Sequence, residues 1–186
     1  MTTLPGLFER TLGAGWNELP DVLKRGHELE RGLHGEGAFD VTLGASWLAR
    51  LAARVMGMPR AGREVRTTLD VTPDGDELVW HRDFGGTSFD TCMYAIDGGR
   101  IAERRGLVEL CLRVTAEGGA VVYRCEGARL RLGALRLPMP LAPRVEGRVW
   151  ADGDAMRTRI AITAPLIGAI VTYEGPLRFG ARGPLR

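Results

Sequence analysis

The amino-acid sequence predicts a mostly β fold of the α+β class. It reads as a curved antiparallel meander, or a calycin-like barrel, of roughly eight to ten strands, with N-terminal helices and one capping helix over residues 47–56. Three observations lead there. From residue 63 to residue 178, short runs alternate apolar and polar residues and recur about every ten to fifteen positions. Between them stand turn residues, Asp74-Gly75, Gly85-Gly86, Gly98-Gly99, Gly118-Gly119 and Asp152-Gly153, with no helical pattern intervening. Residues 1–60 have another texture, helical with a small hairpin inside, and the whole of 1–186 reads as one domain.

Leu4 to Leu12 is a short helix candidate with Leu7, Phe8 and Leu12 on one side. A second helix opens at Asn17, Pro20 and Asp21, carries Val22 and Leu23 inward and stops at Gly26. Residues 28–43 suggest a hairpin around His34-Gly35-Glu36-Gly37. The clearest helix runs from Trp47 to Met56. Ser46 serves as N-cap, Gly57 fits the C-cap, and Pro59 prevents continuation. Trp47, Leu51 and Val55 with Leu48, Ala52 and Met56 form its apolar stripe, opposite Arg50 and Arg54.

Strands follow in order: Val65–Val71, Leu78–Phe84, Phe89–Ile96, Ile101–Glu103 and Val108–Val114. Val121–Cys125 leads into Ala128–Leu132. Pro138, Pro140 and Pro143 mark an irregular crossing, and Val145–Trp150, Met156–Ile162 and Ala169–Tyr173 complete the series. So many strands in a small domain twist too strongly to lie flat, and closing them removes exposed edges. Helix 47–56 would then cover one mouth, and a barrel of about eight strands or slightly more holds one small ligand.

Composition bounds the function. The chain has 186 residues, 26 % charged and 45 % hydrophobic, which suits a globule with a real core. The longest apolar run, Ala164 to Val171, is broken by Pro165 and Gly168, so no membrane-spanning helix is expected. The first six residues show neither a basic region nor an apolar stretch, which leaves a cytoplasmic protein as the expectation. Net charge is +2, Lys24 is the sole lysine, and the arginines are interspersed with acids rather than forming a stripe. Nucleic acid is therefore not an expected partner. Cys92, Cys111 and Cys125 lack CxxC spacing and read as small hydrophobes, and three histidines without ligand spacing predict no metal.

The residue that stands out is Arg82. It shares parity with Leu78, Trp80 and Phe84, so alternation points it to the apolar face, and Glu103 goes with Ile101 by the same argument. A buried arginine needs a partner. Two readings follow: a buried Arg82–Glu103 pair tying strands together, or Arg82 as anchor for a ligand carboxylate or enolate. His81 has the opposite parity, which makes it an exposed pair with Asp83. If alternation inverts at Gly85-Gly86, the two face inward as general base and orienter. His27 and His34 read as surface. Trp80, Phe84, Tyr94, Tyr123, Trp150 and Tyr173 offer an aromatic lining, or ordinary core filling.

Trp80-His81-Arg82-Asp83-Phe84-Gly85-Gly86, then Phe89, Glu103-Arg104 and Leu141-Ala142-Pro143-Arg144, form a recurring set of motifs. With Met58-Pro59-Arg60-Ala61-Gly62, Pro165-Leu166-Ile167-Gly168 and Tyr173-Glu174-Gly175, the chain resembles an uncharacterised bacterial domain of unknown function. That domain occurs alone or fused C-terminal to saccharopine-dehydrogenase-like reductases, and the resemblance covers nearly the whole chain. It implies work beside redox enzymes on small molecules and supplies no catalytic residues. The chain has no dinucleotide motif of its own, since Gly85-Gly86 and Gly98-Gly99 follow no βαβ pattern, and no cofactor is expected.

The functional expectation is a lipophilic small molecule bound in the barrel interior. Catalysis there would be cofactor-independent cyclisation or isomerisation, through Arg82, Glu103 and His81. The alternative is a non-catalytic module that docks on an NAD(P)-dependent reductase.

Overall fold

The structure, a computed structural model, describes residues 6–29, 32–131 and 143–180. Ten antiparallel strands close into a barrel in which each strand bonds to its neighbours in sequence and β1 bonds to β10. The strands are β1 (Leu33–Leu43), β2 (Gly62–Asp74), β3 (Glu77–Phe84), β4 (Thr87–Ile96) and β5 (Arg100–Arg105). They continue as β6 (Val108–Glu117), β7 (Ala120–Leu130), β8 (Arg144–Asp152), β9 (Ala155–Ala164) and β10 (Gly168–Gly180). The barrel is the calycin-like form of the expected fold. Expectations placed on Leu4, Leu132, Pro138, Pro140, Leu141 and Ala142 lie outside the described residues.

Alternation is the main sorting force. In β3, Leu78, Trp80 and Phe84 are buried, while Val79, between them, is only half-buried. The turn from β3 to β4 preserves this order. Gly85 and Gly86 both have positive φ, 59° and 91°, the pattern of a two-residue turn whose twist matches the strands. Phe84 pairs directly with Thr87, so parity does not invert.

Residues 28–43 do not form a hairpin. Leu33–Leu43 is one continuous strand, paired with β10 on one side and β2 on the other. Gly35 and Gly37 are therefore not turn glycines, and neither has positive φ. Gly37 is there for close approach, because a Cβ on it would stand 1.8 Å from the Pro176 carbonyl oxygen. Gly175 faces the same seam, its Cβ position 2.3 Å from the Ala38 oxygen. A bulge at Glu126 lets the two expected runs 121–125 and 128–132 merge into β7, with Cys111 opposite Gly127 and Leu112 opposite Cys125.

Three helices complete the fold. α1 (Leu7–Leu12), a 3-10 stretch (Gly13–Glu18) and α2 (Asp21–His27) close one end of the barrel. Phe8 is fully buried and meets the rings of His27, Trp80 and Tyr123 edge-on. α3 (Trp47–Val55) connects β1 to β2 at the opposite end, with Ser46 Oγ accepting from the Ala49 N–H at 3.1 Å. Its orientation corrects the sequence reading. Ala49 and Ala53 face the barrel, with Ala52 and Met56 of the expected stripe partly buried against it, while Trp47, Leu48 and Leu51 face outward and Val55 is exposed at the cavity. Gly44 explains the fit: an added Cβ there would collide with Ala49 Cβ and the Ala169 oxygen, so α3 lies too close to β10 for large side chains beneath it. No helix among the described residues is long and apolar enough to cross a membrane.

The seam gives the first prediction. Gly37→Ala forces backbone apart between β1 and β10 and should cost about 2 kcal/mol or more. Thermal and urea unfolding would register this as a drop in Tm of several degrees; an unchanged Tm would show that the seam tolerates the extra carbon.

Candidate functional site

The barrel is wider than its side chains fill, and a cavity of about 600 Å³ remains inside. Its walls are mainly Leu, Val, Ile, Met and aromatic side chains contributed by the inward-facing positions of the strands. One region is different. Arg82 Nη1 donates to Thr91 Oγ1 at 2.6 Å, across β4, and Arg82 Nη2 lies 3.5 Å from Glu103 Oε1 on β5. The guanidinium also lies over Trp80 and Phe89, 5.1 and 5.7 Å from the ring centroids. Both partners of the pair are about five-sixths buried, so the ion pair sits where screening is weak.

Arg105 is the second cation of the cavity wall. It shares parity with Ile101 and Glu103 in β5, so the alternation that placed Arg82 would also have found it. Its Nη2 donates to the Gly57 oxygen at 3.0 Å, and its guanidinium stacks 4.1 Å from the Phe89 centroid. It thereby ties the segment after α3 to the barrel rim. Among the described residues it has no carboxylate within ion-pair distance, and burial pulls its pKa down. The polar region therefore holds two arginines and one glutamate.

The far end of the cavity holds His27 and Tyr123. His27, expected at the surface, is only 2 % exposed because Leu23 and His27, four residues apart, share the helix face that plugs the barrel. Its Nδ1–H donates to the Leu23 oxygen at 2.8 Å, which leaves Nε2 to accept from the Tyr123 hydroxyl at 2.9 Å. Burial lowers its pKa to about 4, against the opposing effect of the Leu23 carbonyl. Burial also pushes the Tyr123 hydroxyl far up, and the Tyr173 hydroxyl up to about 12. Both tyrosines are neutral donors at ordinary pH.

Two further polar atoms on cavity-lining residues, Trp80 Nε1 and Thr158 Oγ1, are buried and have no hydrogen-bond partner among the described residues.

Of the expected site residues, the structure brings Arg82, Glu103, Trp80, Phe84, Tyr123 and Tyr173 together around the cavity. Three it does not. His81 points outward, its Nδ1 2.5 Å from Asp90 Oδ1, because the Gly85-Gly86 turn keeps parity. Tyr94 lies outside next to inward Met93 and donates to Glu109 Oε2 at 2.6 Å. Trp150 lies outside next to inward Val149. Thr91, Arg105, Thr158 and His27 were not anticipated; parity with Met93 and Glu103 was the available signal for the first two.

A family model described as a domain of unknown function, DUF4166, matches residues 19–177. The chain belongs to the DUF4166 family. No curated protein matches it in sequence. Among solved structures, a DUF3598 family protein of unknown function from Nostoc punctiforme superposes with a TM-score of 0.50 at 12 % identity, covering 80 % of this chain. The DUF4166 chain spans about half, 47 %, of that protein. Lipid binding protein 8 of Caenorhabditis elegans, in its apo form, gives 0.43 at 11 % identity over 79 % of this chain and 93 % of its own. A secretory abundant heat soluble protein of Ramazzottius varieornatus gives 0.42 at 10 % identity, over 82 % and 95 %. At such identities the likeness is one of fold.

The His27 arrangement predicts an acid limb in stability. The folded pKa lies below the unfolded value of 6.5, so the unfolded chain takes up the proton first as pH falls. The resulting stabilisation is complete above pH 6.5 and is lost progressively down to pH 4, for a total of about 3 kcal/mol. His27→Gln should flatten that window in a Tm-against-pH series; an equal slope in both proteins would place the acid sensitivity elsewhere.

Proposed function

We propose that the barrel binds one lipophilic small molecule carrying a single anionic or strongly accepting group. The apolar body lies along the cavity and the head group meets Arg105 beside the Arg82–Glu103 pair. The observation that carries this reading is the unbalanced cation, Arg105, beside the Arg82–Glu103 pair on the wall of a mainly apolar cavity of about 600 Å³. That volume lies within the usual range for small-molecule sites. Arg105 is half-buried, and a charge drawn partly out of water without a counter-charge favours a ligand anion beside it. Trp80 Nε1 and Thr158 Oγ1 are further groups for a ligand acceptor to meet.

Cofactor-independent cyclisation or isomerisation is the narrower form of this reading. The chain's contribution would be shape, exclusion of water and charge stabilisation by Arg82, Arg105 and the neutral hydroxyl of Tyr173. Binding without turnover is favoured, because His27, the histidine on the cavity wall, is engaged at both ring nitrogens and held neutral by burial. Docking on an NAD(P)-dependent reductase rests on the family resemblance alone, and a filled barrel would have suited it better.

A fluorescent long-chain fatty acid and the matching fatty alcohol test the reading. The acid should bind with Arg105→Met weakening it about tenfold or more, as expected for a lost charge-assisted contact. The alcohol should be nearly indifferent to the substitution, and native mass spectrometry should show one ligand per chain. Failure of both probes to bind would sink the proposal.

A further inference from the structure

The six large hydrophobic side chains exposed among the described residues are Trp47, Leu48, Leu51, Val55, Leu107 and Leu166. They come from three separate places in the sequence, yet the up-and-down topology gathers them at one end of the barrel. α3 follows the end of β1, Leu107 is in the β5–β6 turn and Leu166 is in the β9–β10 turn. Strands β1, β5 and β9 all run towards that end, because alternate strands of the meander are parallel in direction. It is the end opposite the α1–α2 plug.

Charge is divided along the same axis. Residues 44–63 contain Arg50, Arg54, Arg60 and Arg63 and no acid, and neither the Gly106-Leu107 turn nor Pro165-Leu166-Ile167 contains one. Asp40 and Asp83, on strands next to this rim, are engaged by the backbone N–H groups of Glu64 and Gly86, and the exposed Glu64 follows Arg63, so residues 44–64 carry four arginines and one acid. The turns at the plugged end carry Asp74, Asp76, Asp97, Glu117, Asp152 and Asp154.

We infer that the rim formed by α3 and the β5–β6 and β9–β10 turns docks on an anionic lipid bilayer, and that the ligand exchanges between bilayer and cavity there. The second half rests on the ligand reading above. Val55 joins the two features, since it is 79 % exposed and also lines the cavity. The shape suits a membrane better than a protein groove. Leu166 is 96 % exposed on a residue with φ of 69°, and Trp47 is 71 % exposed, so these side chains project singly and insert into a deformable medium. An interfacial helix needs this composition, with tryptophan and leucine facing the acyl boundary and arginines beside them for phosphate.

The experiment is co-sedimentation of the full chain with vesicles of phosphatidylcholine alone or mixed with phosphatidylglycerol, together with tryptophan emission. Trp47 is the most exposed of the four tryptophans, so its emission should move to shorter wavelength on binding. Binding should require phosphatidylglycerol and weaken with salt. It should fall about tenfold or more in Arg50→Gln/Arg54→Gln and in Leu51→Ser/Leu166→Ser. None of these four residues lines the cavity, so fluorescent fatty acid binding in vesicle-free solution should stay unchanged in both variants. No sedimentation with anionic vesicles, while the fatty acid still binds, overturns the docking surface and leaves the ligand site. Self-association through Trp47, seen as a dimer that Leu51→Ser/Leu166→Ser dissolves, also overturns it in favour of a second copy. Sedimentation without fatty acid binding supports the surface and removes the ligand reading.

Discussion

The pairing of β1 with β10 is the contact on which the rest of this barrel depends. All other strand pairs join neighbours in sequence and would exist equally in an open, curled sheet. Only the seam from His34–Gly180 to Leu43–Val171 fixes the circumference at ten strands. A ring of ten is slightly too wide for inward side chains to meet at the axis, and the interior cavity is the geometric result. The seam tolerates little bulk, which is why Gly37 stands against the Pro176 oxygen and Gly175 against the Ala38 oxygen.

Inside that circumference, polarity is concentrated rather than spread. Arg82, Thr91, Glu103 and Arg105 occupy one region of the wall, supported by the faces of Trp80 and Phe89. Elsewhere the interior is mainly apolar and carries no further ion pair among the described residues. A buried pair of ions by itself is weak support for stability, and apolar replacements often do as well. The additional arginine is what changes the character of the site, because it leaves positive charge that the surrounding side chains do not neutralise. At the other end, His27 and Tyr123 satisfy each other and form part of the plug.

How much of this was legible in the sequence follows from what period-two alternation can and cannot encode. It placed Arg82 and Glu103 on the same face, since each lies in an uninterrupted strand, with β4 and two short turns between them. Applied as strictly to β4 and β8, it would have put Tyr94 and Trp150 outside with Cys92 and Arg148, and residue type alone misled there. Gly35 and Gly37 imitated a turn because the sequence does not distinguish a glycine needed for φ from one needed for closeness. Helical periodicity found α3 to within a residue and identified its stripe. It carried no information about which face the barrel would leave room for, and Gly44 and Ala49 decided that in favour of small side chains. The arginine-rich, acid-poor character of the α3 rim was hidden because the turns that share an end are scattered along the chain.

The seam also imposes an order on folding. Nine of the ten strand pairings connect residues close in sequence, so hairpins from β2 to β10 can form progressively with small loop-closure cost. The tenth joins the first strand to the last. During synthesis, β1 therefore waits with one edge unpaired until β10 has left the ribosome, and through that interval the apolar interior of the growing sheet is open along its length. The last strand acts as a fastener, and a chain stopped before it would keep nine strands and lose the enclosure.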